Sequence, residues 1–399
     1  MNNGTVYSDT GKTRDQQFRP DAIAPYTSTL MKVTRIQRYQ LSYPIERPYA
    51  NSCVWNRTRD VAVIAVTTDR GITGWGEGSR LPQTSVLAQH VLGRDPFDVA
   101  AMGRAAQTGG CPPAAWSGVD IALYDLMGQA VGRPVHQLLG GAVRDRIAVY
   151  ASGLFLDDAR QPTGALAQEA GAYAAAGFPA VKMKIGFGAR IDAARVAAVR
   201  AAIGPDVLLA VDANCAYDAA TAIASVRAVE EHDVYWYEEP VPPTEIQAYH
   251  QIQAAAPMQL AGGEALEGLG AFRDLVSERC LAIVQPDISI AGGFSACQKI
   301  AALAEAHGVR TLPHMWGSAI RLAATLQWQA VLPDGPGLFP EPSLFEFDMT
   351  ENALRTDLAK EPFQQQGGTV AVPDAPGLGL EVNLKVLEQY TVATDVVQA

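Results

Sequence analysis

The chain has 399 residues, of which 48% are hydrophobic, and its formal net charge at pH 7 is −11. This length suits one large α/β domain with a smaller partner domain, and the apolar fraction is enough to bury a sizeable core. The acidic balance argues against a general nucleic-acid binder, because phosphate binding needs a basic surface.

Cysteine usage and hydropathy indicate the cellular compartment. The five cysteines are scattered and never form a CxxC spacing, which indicates a reducing cytoplasm and neither a zinc site nor a disulfide framework. No run approaches the roughly 18 consecutive apolar residues of a membrane span, and residues 1–30 carry no apolar signal core. We therefore expect a cytoplasmic protein with no membrane contact, and a flexible extension over residues 1–30.

Strand patterns begin at "MKVTRIQRYQL" (31–41) and return in "DVAVIAVTTDRGITGWGEG" (60–78), where "DRG" marks a turn. Helical periodicity follows from about residue 85 to residue 140. Antiparallel strands followed by helices predict an α+β domain over residues 31–146.

From about residue 147, a short β-prone run followed by an Ala-rich helical stretch recurs along the chain. Eight such runs start roughly 24 to 35 residues apart, which is the length of one strand plus one helix. The runs are "IAVYASG" (147–153), "AVKMKIG" (180–186), "LLAVDAN" (208–214), "VYWYEEP" (234–240), "MQLAGGE" (258–264), "LAIVQPD" (281–287), "RTLPHM" (310–315) and "LFEFD" (344–348). This repetition predicts a closed (β/α)8-type barrel over residues 147–355.

An open doubly wound sheet is the alternative, and it would carry a GxGxxG turn after its first strand. The stretch "GFGARID" (186–192) has only the first two glycines and follows the second strand, which disfavours a dinucleotide fold. The final segment, residues 356–399, lies beyond the eighth strand. We expect its apolar residues to pack back on the first domain.

Three acids fall at the carboxyl ends of predicted strands, the end that carries the active site in barrels. Asp212, Glu238 and Glu264 end the third, fourth and fifth strands. Carboxylates that meet in a buried mouth repel one another unless a cation lies between them, and hard oxygen ligands suit Mg²⁺. The alternative is that each acid separately caps a helix or forms an ion pair. We predict one Mg²⁺ per active site, held by these three acids.

Two lysines and a histidine end strands on opposite sides of the predicted barrel. Lys182 and Lys184 are two residues apart, so both side chains project to one face of the second strand. A neighbouring ammonium disfavours the charged form, so we expect Lys182 to lower the pKa of Lys184 and fit it to act as a general base. His314 ends the seventh strand and Asp287 the sixth, where the carboxylate can hold the other imidazole nitrogen. An exposed lysine pair and a structural histidine are the alternatives.

Together these groups imply a reaction that removes the proton α to a carboxylate, through an enolate that a divalent cation stabilises. Lys184 would act on one face of the substrate and His314 on the other. Glu346 ends the eighth strand. It would donate a hydrogen bond to the developing oxyanion if its carboxyl group is kept protonated.

An ordered set of motifs resembles the mandelate racemase and muconate lactonizing enzyme family of the enolase superfamily. The motifs are "WSGVDIALYDLMGQAVGRPVHQLLGG" (116–141), "KMK", "DAN", "YEEP", "GGE", "QPDISIAGG" and "LPHMWGSA". The resemblance covers roughly residues 31 to 390 and implies a (β/α)7β TIM-like barrel with an α+β N-terminal capping domain. It also implies one catalytic Mg²⁺ on the three acids, with Lys184 as one base and the His314–Asp287 dyad as the other. The sixth strand offers no lysine, which places the chain with the mandelate-racemase-like subgroup.

Within that subgroup, "KMKIGFG", "PHMWGSA" and "FEFDMTEN" are most similar to cycloisomerases of acid-sugar lactones. The resemblance therefore implies a cycloisomerase or dehydratase that acts on a sugar acid or its lactone. A racemase or epimerase of a 2-hydroxy acid shares the first chemical step and is the alternative. A non-catalytic metal-binding relative is an alternative of another class, and it would lack a ligand or a base.

Substrate choice in this family usually comes from two loops of the capping domain, here about residues 44–55 and 77–84. Arg47 and Arg80 are candidates to bind a distal carboxylate, with an exposed surface arginine as the alternative. Asn214 is a candidate substrate contact, and Trp316 is either a wall of the pocket or a core residue. The resemblance also implies a small-molecule carboxylate substrate and a homo-oligomer, either a dimer or an octamer.

Overall fold

The structure is a computed structural model, and it describes residues 31–79, 81–157, 163–335, 338 and 340–399. The extension predicted over residues 1–30 and the candidate Arg80 lie outside the described residues. None of the described helices is both long enough and apolar enough to cross a bilayer.

Strands and helices alternate along most of the described chain. The strands are β1 (Val33–Ala50), β2 (Trp55–Thr68), β3 (Thr73–Gly78), β4 (Arg146–Ser152), β5 (Ala180–Lys184), β6 (Leu208–Asp212), β7 (Val234–Glu238), β8 (Gln259–Gly262), β9 (Ile283–Val284), β10 (Arg310–Thr311), β11 (Leu344–Asp348), β12 (Thr369–Ala371) and β13 (Thr391–Gln398). The α-helices are α1 (Thr84–Val91), α2 (Val99–Thr108), α3 (Pro113–Val131), α4 (Val135–Leu138), α5 (Thr163–Ala175), α6 (Ala189–Ile203), α7 (Ala219–Val229), α8 (Ile246–Ala255), α9 (Gly268–Ser277), α10 (Gly293–Ala306), α11 (Ala319–Gln329), α12 (Ala353–Thr356) and α13 (Leu384–Tyr390).

The capping domain is an antiparallel sheet with helices packed on one face. β1, β2 and β3 form a meander, and the C-terminal strand β13 pairs with the other side of β1. Apolar residues of β1 and β2, such as Ile36 and Ile64, pack with Leu126 of α3 in the core between sheet and helices. The end of the chain therefore completes the sheet with which the described residues begin.

Glycines allow α3 to lie directly against β3. A Cβ added at Gly74 would lie 2.1 Å from the carbonyl oxygen of Ala122, and one added at Gly76 would lie 1.9 Å from that of Gly118. A side chain at either position would push the helix away from the sheet. The "GWGEG" sequence thus fixes β3, and with it Glu77, close to the helix.

The second domain is a parallel barrel with the strand order β10-β9-β8-β7-β6-β5-β4-β11. Helices α5 to α11 follow the first seven of its strands in turn, and β11 is followed only by the short α12. The (β/α)7β barrel with a capping domain that the resemblance implies is confirmed, and the eight full units that spacing alone predicts are one helix too many. β12 then turns back and pairs antiparallel with β4.

Side chains fill the barrel interior in two layers. The lower layer is apolar and consists of Tyr150, Ala180, Ala210, Trp236, Ala261, Ile283, Leu312 and Leu344. Two residues further along five of these strands, the same inward face carries buried polar groups, namely Ser152, Lys182, Asp212, Glu238 and Glu346. The lower layer, which we call the apolar floor, therefore lies beneath a charged layer at the carboxyl ends of the strands.

Strands β9 and β10 are shorter than the sequence predicts. The sequence predicts strands over 281–287 and 310–315, but each pairs as a ladder over only two residues. Pro286 and Pro313 follow soon after these pairs, and proline has no N–H to donate to a ladder. A single bridge between Asp287 and His314 continues the parallel alignment beyond the prolines.

Candidate active site

Three carboxylates from consecutive strands meet at the mouth of the barrel. Asp212 ends β6, Glu238 ends β7 and Glu264 follows β8, and one oxygen from each lies within 4.8 Å of the others. Burial and the neighbouring carboxylates raise the pKa of Glu238 to about 7, against the opposing effect of Lys182. A donor set of crowded carboxylate oxygens fits a hard divalent cation such as Mg²⁺.

Lys182 and Lys184 project from β5 into this charged layer. Nζ of Lys182 lies 2.7 Å from Oε1 of Glu238 and 2.8 Å from Oε1 of Glu346, and Nζ of Lys184 pairs with Asp212. Burial and Lys182 both lower the pKa of Lys184, but the surrounding carboxylates, led by Asp212 and joined by Glu264 and Glu238, together outweigh them and the net pKa is raised. The predicted effect of Lys182 is therefore present, but the expectation that Lys184 ends with a lowered pKa is wrong, because the carboxylate of Asp212 contacts the same amine directly.

His314 and Asp287 lie side by side at the ends of the strand segments that follow β9 and β10. Nδ1 of His314 is 2.7 Å from Oδ2 of Asp287, and Nε2 is 3.3 Å from Oε2 of Glu264. Oδ1 of Asp287 accepts hydrogen bonds from the backbone N and from Oγ of Ser289, at 2.8 and 2.7 Å. The imidazole is thus oriented with Nε2 toward the acid cluster.

Charges around the pair favour its ionised forms. Burial opposes ionisation of Asp287, but Arg321 and His314 outweigh burial and hold the pKa of Asp287 at about 2. Burial lowers the pKa of His314, and the surrounding carboxylates, led by Glu264 and Glu346, raise it to about 10.

Glu346 lies in the charged layer as a hydrogen-bond acceptor. Oε1 accepts from Oγ of Ser152 at 2.7 Å, and Oε2 accepts from the backbone N of Met315 at 3.1 Å. Burial raises the pKa of Glu346, but Lys182 and His314 outweigh it and lower the pKa below its ordinary range. The condition for Glu346 to donate to an oxyanion, a protonated carboxyl group, is therefore not met, and Lys182 is the donor beside it.

The amine and the imidazole reach the acid cluster from opposite sides. β5 and β10 stand five places apart in the order of eight strands. Lys184 pairs with Asp212 at one end of the cluster, and His314 lies beside Glu264 at the other. A small carboxylate bound between them would present one face to each group, which permits proton removal or delivery on either face.

The four residues predicted to contact substrate occupy different places. Asn214 follows β6 in a left-handed conformation, with φ of 46°, and its backbone N donates to Oδ1 of Asp212 at 2.8 Å. Trp316 follows the histidine at the mouth, with its ring centroid 5.2 Å from that of Phe155. Arg47 is an exposed residue of β1, and Arg80 lies outside the described residues.

Several residues at the site carry no strand-end signal, and sequence reasoning misses them. Phe155 follows β4, and its ring centroid lies 5.2 Å from Nζ of Lys184. Arg59 of β2 lies 4.0 Å from the ring centroid of Trp316 and donates to Oδ2 of Asp348 at 2.5 Å. Arg321 contacts Asp287, and a signal for it exists: it is the one charged residue within "AIRLAATLQW" (319–328).

The loop between β1 and β2 reaches the strand ends that carry these groups. Oγ of Ser52 donates to the carbonyl oxygen of Ala213 at 2.7 Å, and Sγ of Cys53 donates to that of Asn214 at 3.2 Å. A Cβ added at Gly186 would lie 2.5 Å from the Cβ of Ser52, so the contact is close. The capping domain therefore covers part of the barrel mouth beside Lys184.

Two family models match the chain. Residues 35–140 match the model described as "Mandelate racemase / muconate lactonizing enzyme, N-terminal domain". Residues 165–386 match the model described as "Enolase C-terminal domain-like". The two matches fall on the capping domain and on most of the barrel.

Similar sequences include two kinds of sugar-acid enzyme. A D-galactarolactone cycloisomerase of Agrobacterium fabrum is 36% identical over 373 residues, which cover 90% of this chain and 99% of the relative. A D-galactonate dehydratase of Xanthomonas oryzae pv. oryzae is 34% identical over 349 residues, which cover 82% of this chain and 90% of the relative.

Solved structures of similar fold match over nearly the same length. The 3,6-anhydro-D-galactonate cycloisomerase from Zobellia galactanivorans is 33% identical with a TM-score of 0.79, over 91% of this chain and 100% of the other. A member of the enolase superfamily from Polaromonas sp. JS666 is 30% identical with a TM-score of 0.82, over 91% and 98%.

Proposed function

The chain belongs to the mandelate racemase and muconate lactonizing enzyme family of the enolase superfamily, and on that premise we propose that it is a Mg²⁺-dependent cycloisomerase or dehydratase of a sugar acid or its lactone. Its relatives are enzymes of this superfamily, and it is one as well. The observation that carries the proposal is the cluster of Asp212, Glu238 and Glu264, which has Lys184 at one end and His314 at the other.

Each group of the site has a role in removing the proton α to the substrate carboxylate. Asp212, Glu238 and Glu264 would hold Mg²⁺, which when bound supplies charge stabilisation for that carboxylate as the proton leaves. Lys184 and His314 would take or deliver the proton at Nζ and Nε2, on opposite faces, when a bound cation neutralises the carboxylates that raise their pKa values. Lys182 keeps a fixed positive charge in the charged layer, where it favours developing negative charge.

The second half of the proposed reaction is a β-elimination. The electron pair left by the α-proton forms the new C–C double bond, and the β-oxygen departs with its own bonding pair. A hydroxyl leaving group takes up a proton from the protonated side chain, the Lys184 ammonium or the His314 imidazolium, on its side of the substrate. Loss of a ring oxygen opens a lactone, whereas loss of a hydroxyl group dehydrates an open-chain acid. The names of the relatives support both outcomes, since they include cycloisomerases and dehydratases.

Racemisation or epimerisation at the α-carbon is a second candidate. It is favoured by one observation, namely that a base stands at both ends of the acid cluster. A non-catalytic relative is disfavoured, because all three ligand positions and both base positions are filled by suitable side chains. The homo-oligomer that the resemblance implies stays a prediction.

Proton exchange in deuterated water tests the proposal whichever product is formed. The chain is incubated with Mg²⁺ and D-galactarolactone, D-galactonate, 3,6-anhydro-D-galactonate or their α-epimers, and the mixtures are followed by NMR. We expect α-deuterium in at least one compound and a ring-opened or dehydrated product from it. Exchange without any eliminated product would favour the racemase, and an inert panel would contradict the proposal.

Glu238→Gln tests the metal-ligand role of Glu238, because it keeps the side-chain size and replaces the carboxylate with a neutral amide. We expect it to weaken Mg²⁺ binding, measured by calorimetry, by at least about 10²-fold, since even hydrogen-bond partners of metal ligands typically contribute 10–100-fold. In this variant, α-deuterium exchange should be lost together with Mg²⁺ binding. An unchanged Mg²⁺ titration would remove Glu238 from the ligand set.

A further inference from the structure

A line of buried contacts joins the capping domain to His314. Two residues of this line, Arg321 and Glu77, belong to none of the motifs at the strand ends of the barrel. We propose that Arg321 and Glu77 are positioning residues for His314, so that the capping domain sets the orientation of the imidazole. The description of His314 as a base rests on the proposed function, whereas the line itself is given by the contacts.

The contacts run from the barrel mouth to β3 of the capping domain. Oδ2 of Asp287 accepts from Nδ1 of His314 at 2.7 Å and also from a terminal nitrogen of Arg321 at 3.0 Å. Nε of Arg321 donates to Oε1 of Glu77 at 2.7 Å. Three successive contacts between charged side chains therefore connect the imidazole to a strand of the other domain.

The surroundings hold this line in one geometry. Oε2 of Glu77 accepts from the backbone N of Ser318 at 2.9 Å, at the start of the helix that carries Arg321. A Cβ added at Gly317 would lie 2.4 Å from both Nε of Arg321 and Oε1 of Glu77, so only glycine leaves room for the pair. The same carboxylate therefore fixes both the guanidinium and the start of its helix.

The residues of this line are buried, which raises the energetic cost of losing any one of the contacts. Glu77 and Asp287 are completely buried, and Arg321 and His314 are 8% and 9% exposed. Water cannot replace a lost partner at such positions, and a buried charge left without its partner is strongly unfavourable. The planar guanidinium also donates in fixed directions, so a change at Glu77 turns Arg321 and displaces Oδ2 of Asp287.

Among the residues that the structure describes, no such line of contacts joins the lysine side of the site to β3. Asp212, the partner of Lys184, is held in place by the β5–β6 and β6–β7 ladders. Loss of Arg321 or Glu77 should therefore disturb proton transfer at His314 and leave transfer at Lys184 intact.

Three variants of the full-length chain separate positioning from general destabilisation. Arg321→Lys keeps the charge and loses the planar fork, and Glu77→Gln keeps the size and one acceptor oxygen. Gln327→Ala is the control, because Gln327 also lies on α11 and bonds the capping domain, accepting from the backbone N of His136 at 2.7 Å, but does not contact the dyad.

Two measurements are made on each variant at one pH. The first is ¹⁵N NMR of histidine-labelled protein, with the His314 signals assigned from His314→Asn, which reports the hydrogen bond at Nδ1. The second is α-deuterium incorporation, with Mg²⁺, into D-galactonate and its α-epimer, which present their α-hydrogens to opposite faces.

We expect Arg321→Lys and Glu77→Gln to shift the Nδ1 signal and to slow exchange of one epimer by about 10²-fold, the typical cost of a misplaced catalytic group. The other epimer, and both epimers with Gln327→Ala, should exchange as in the unchanged chain. If Arg321→Lys does not fold, the results for Glu77→Gln alone test the positioning role.

An unshifted Nδ1 signal with equal rates for both epimers would overturn the proposal, and so would an equal slowing of both epimers without a shift. If the unchanged chain exchanges neither compound nor any other of the panel, the proposed function fails. The Nδ1 signal then decides the positioning role by itself.

Discussion

Two sides of the site contact the same acid cluster but are held in place differently. The lysine side lies on β5 and β6, and the histidine side lies beyond β9 and β10. On the lysine side, β5 and β6 pair over five consecutive positions, and Lys184 stands directly opposite Asp212 in that ladder. On the histidine side, the ladder covers two positions, and Asp287 and His314 meet at a lone bridge beyond two prolines.

Different forces therefore hold the two bases. Backbone register places Lys184, and this register is a property of the barrel alone. Side-chain hydrogen bonds place His314, and they extend through Arg321 to the capping domain. The comparison teaches that one active site can combine a base that depends on strand pairing with a base that depends on how two domains dock.

Removal of one base should give the largest effect. Lys184→Ala should slow exchange of the epimer whose α-hydrogen faces the amine by about 10²–10⁴-fold, the usual contribution of general acid–base catalysis. Exchange of the opposite epimer should survive, since His314 is held independently. His314→Asn should show the reverse pattern in the same NMR assay. Equal losses for both epimers in both variants would show that the two sides do not act separately.

The pH dependence of stability should be the next largest effect, and the two groups of the histidine side should each contribute a separate part of it. The pKa of Asp287, about 2, lies below its ordinary value of roughly 3.9, so its contribution is present above pH ~4 and is lost as the pH falls through 2. The pKa of His314, about 10, lies above its ordinary value of roughly 6.5, so its contribution is complete below pH ~6.5 and is lost as the pH rises through 10.

Urea unfolding in the presence of EDTA measures this dependence. Between pH ~6.5 and 10 the free energy of unfolding should fall as the pH rises, and His314→Asn should flatten that fall. Ser318→Ala serves as a control that removes a nearby helix cap without changing any charge. The same slope in His314→Asn and in the unchanged chain would contradict the pKa assignment.

The smallest effect should come from the capping loop on the lysine side. Ser52→Ala removes the hydrogen bond to the carbonyl oxygen of Ala213, which should lower the free energy of unfolding by about 1 kcal/mol. The ratio of the two exchange rates should not change, because the β5–β6 ladder holds Lys184 without the loop. A selective loss at the lysine face would mean that this side also depends on the capping domain.

The parts of the site that the sequence predicts are those that strand geometry determines. Lys182 and Lys184 share a face because their spacing equals the strand period, and Asp212 and Glu238 meet because parallel strands end at one edge. The barrel itself is predictable for the same reason, since each strand and helix carries its own pattern.

The parts that the sequence does not predict depend on docking between distant segments. Glu77 and Arg321 are 244 residues apart, and neither pattern nor spacing relates them. The ionised state of Glu346 likewise depends on the direction of the Lys182 side chain, which sits on a strand far away in sequence. The early ends of β9 and β10 do have a signal in the sequence, namely Pro286 and Pro313.

The apolar floor has a kinetic consequence. The side chains of Trp236, Tyr150 and their neighbours fill the barrel interior beneath the charged layer. A molecule that enters through the mouth of the barrel therefore has to leave through the mouth as well. Product and incoming substrate then occupy one route and exclude each other, so accumulated product should act as a competitive inhibitor.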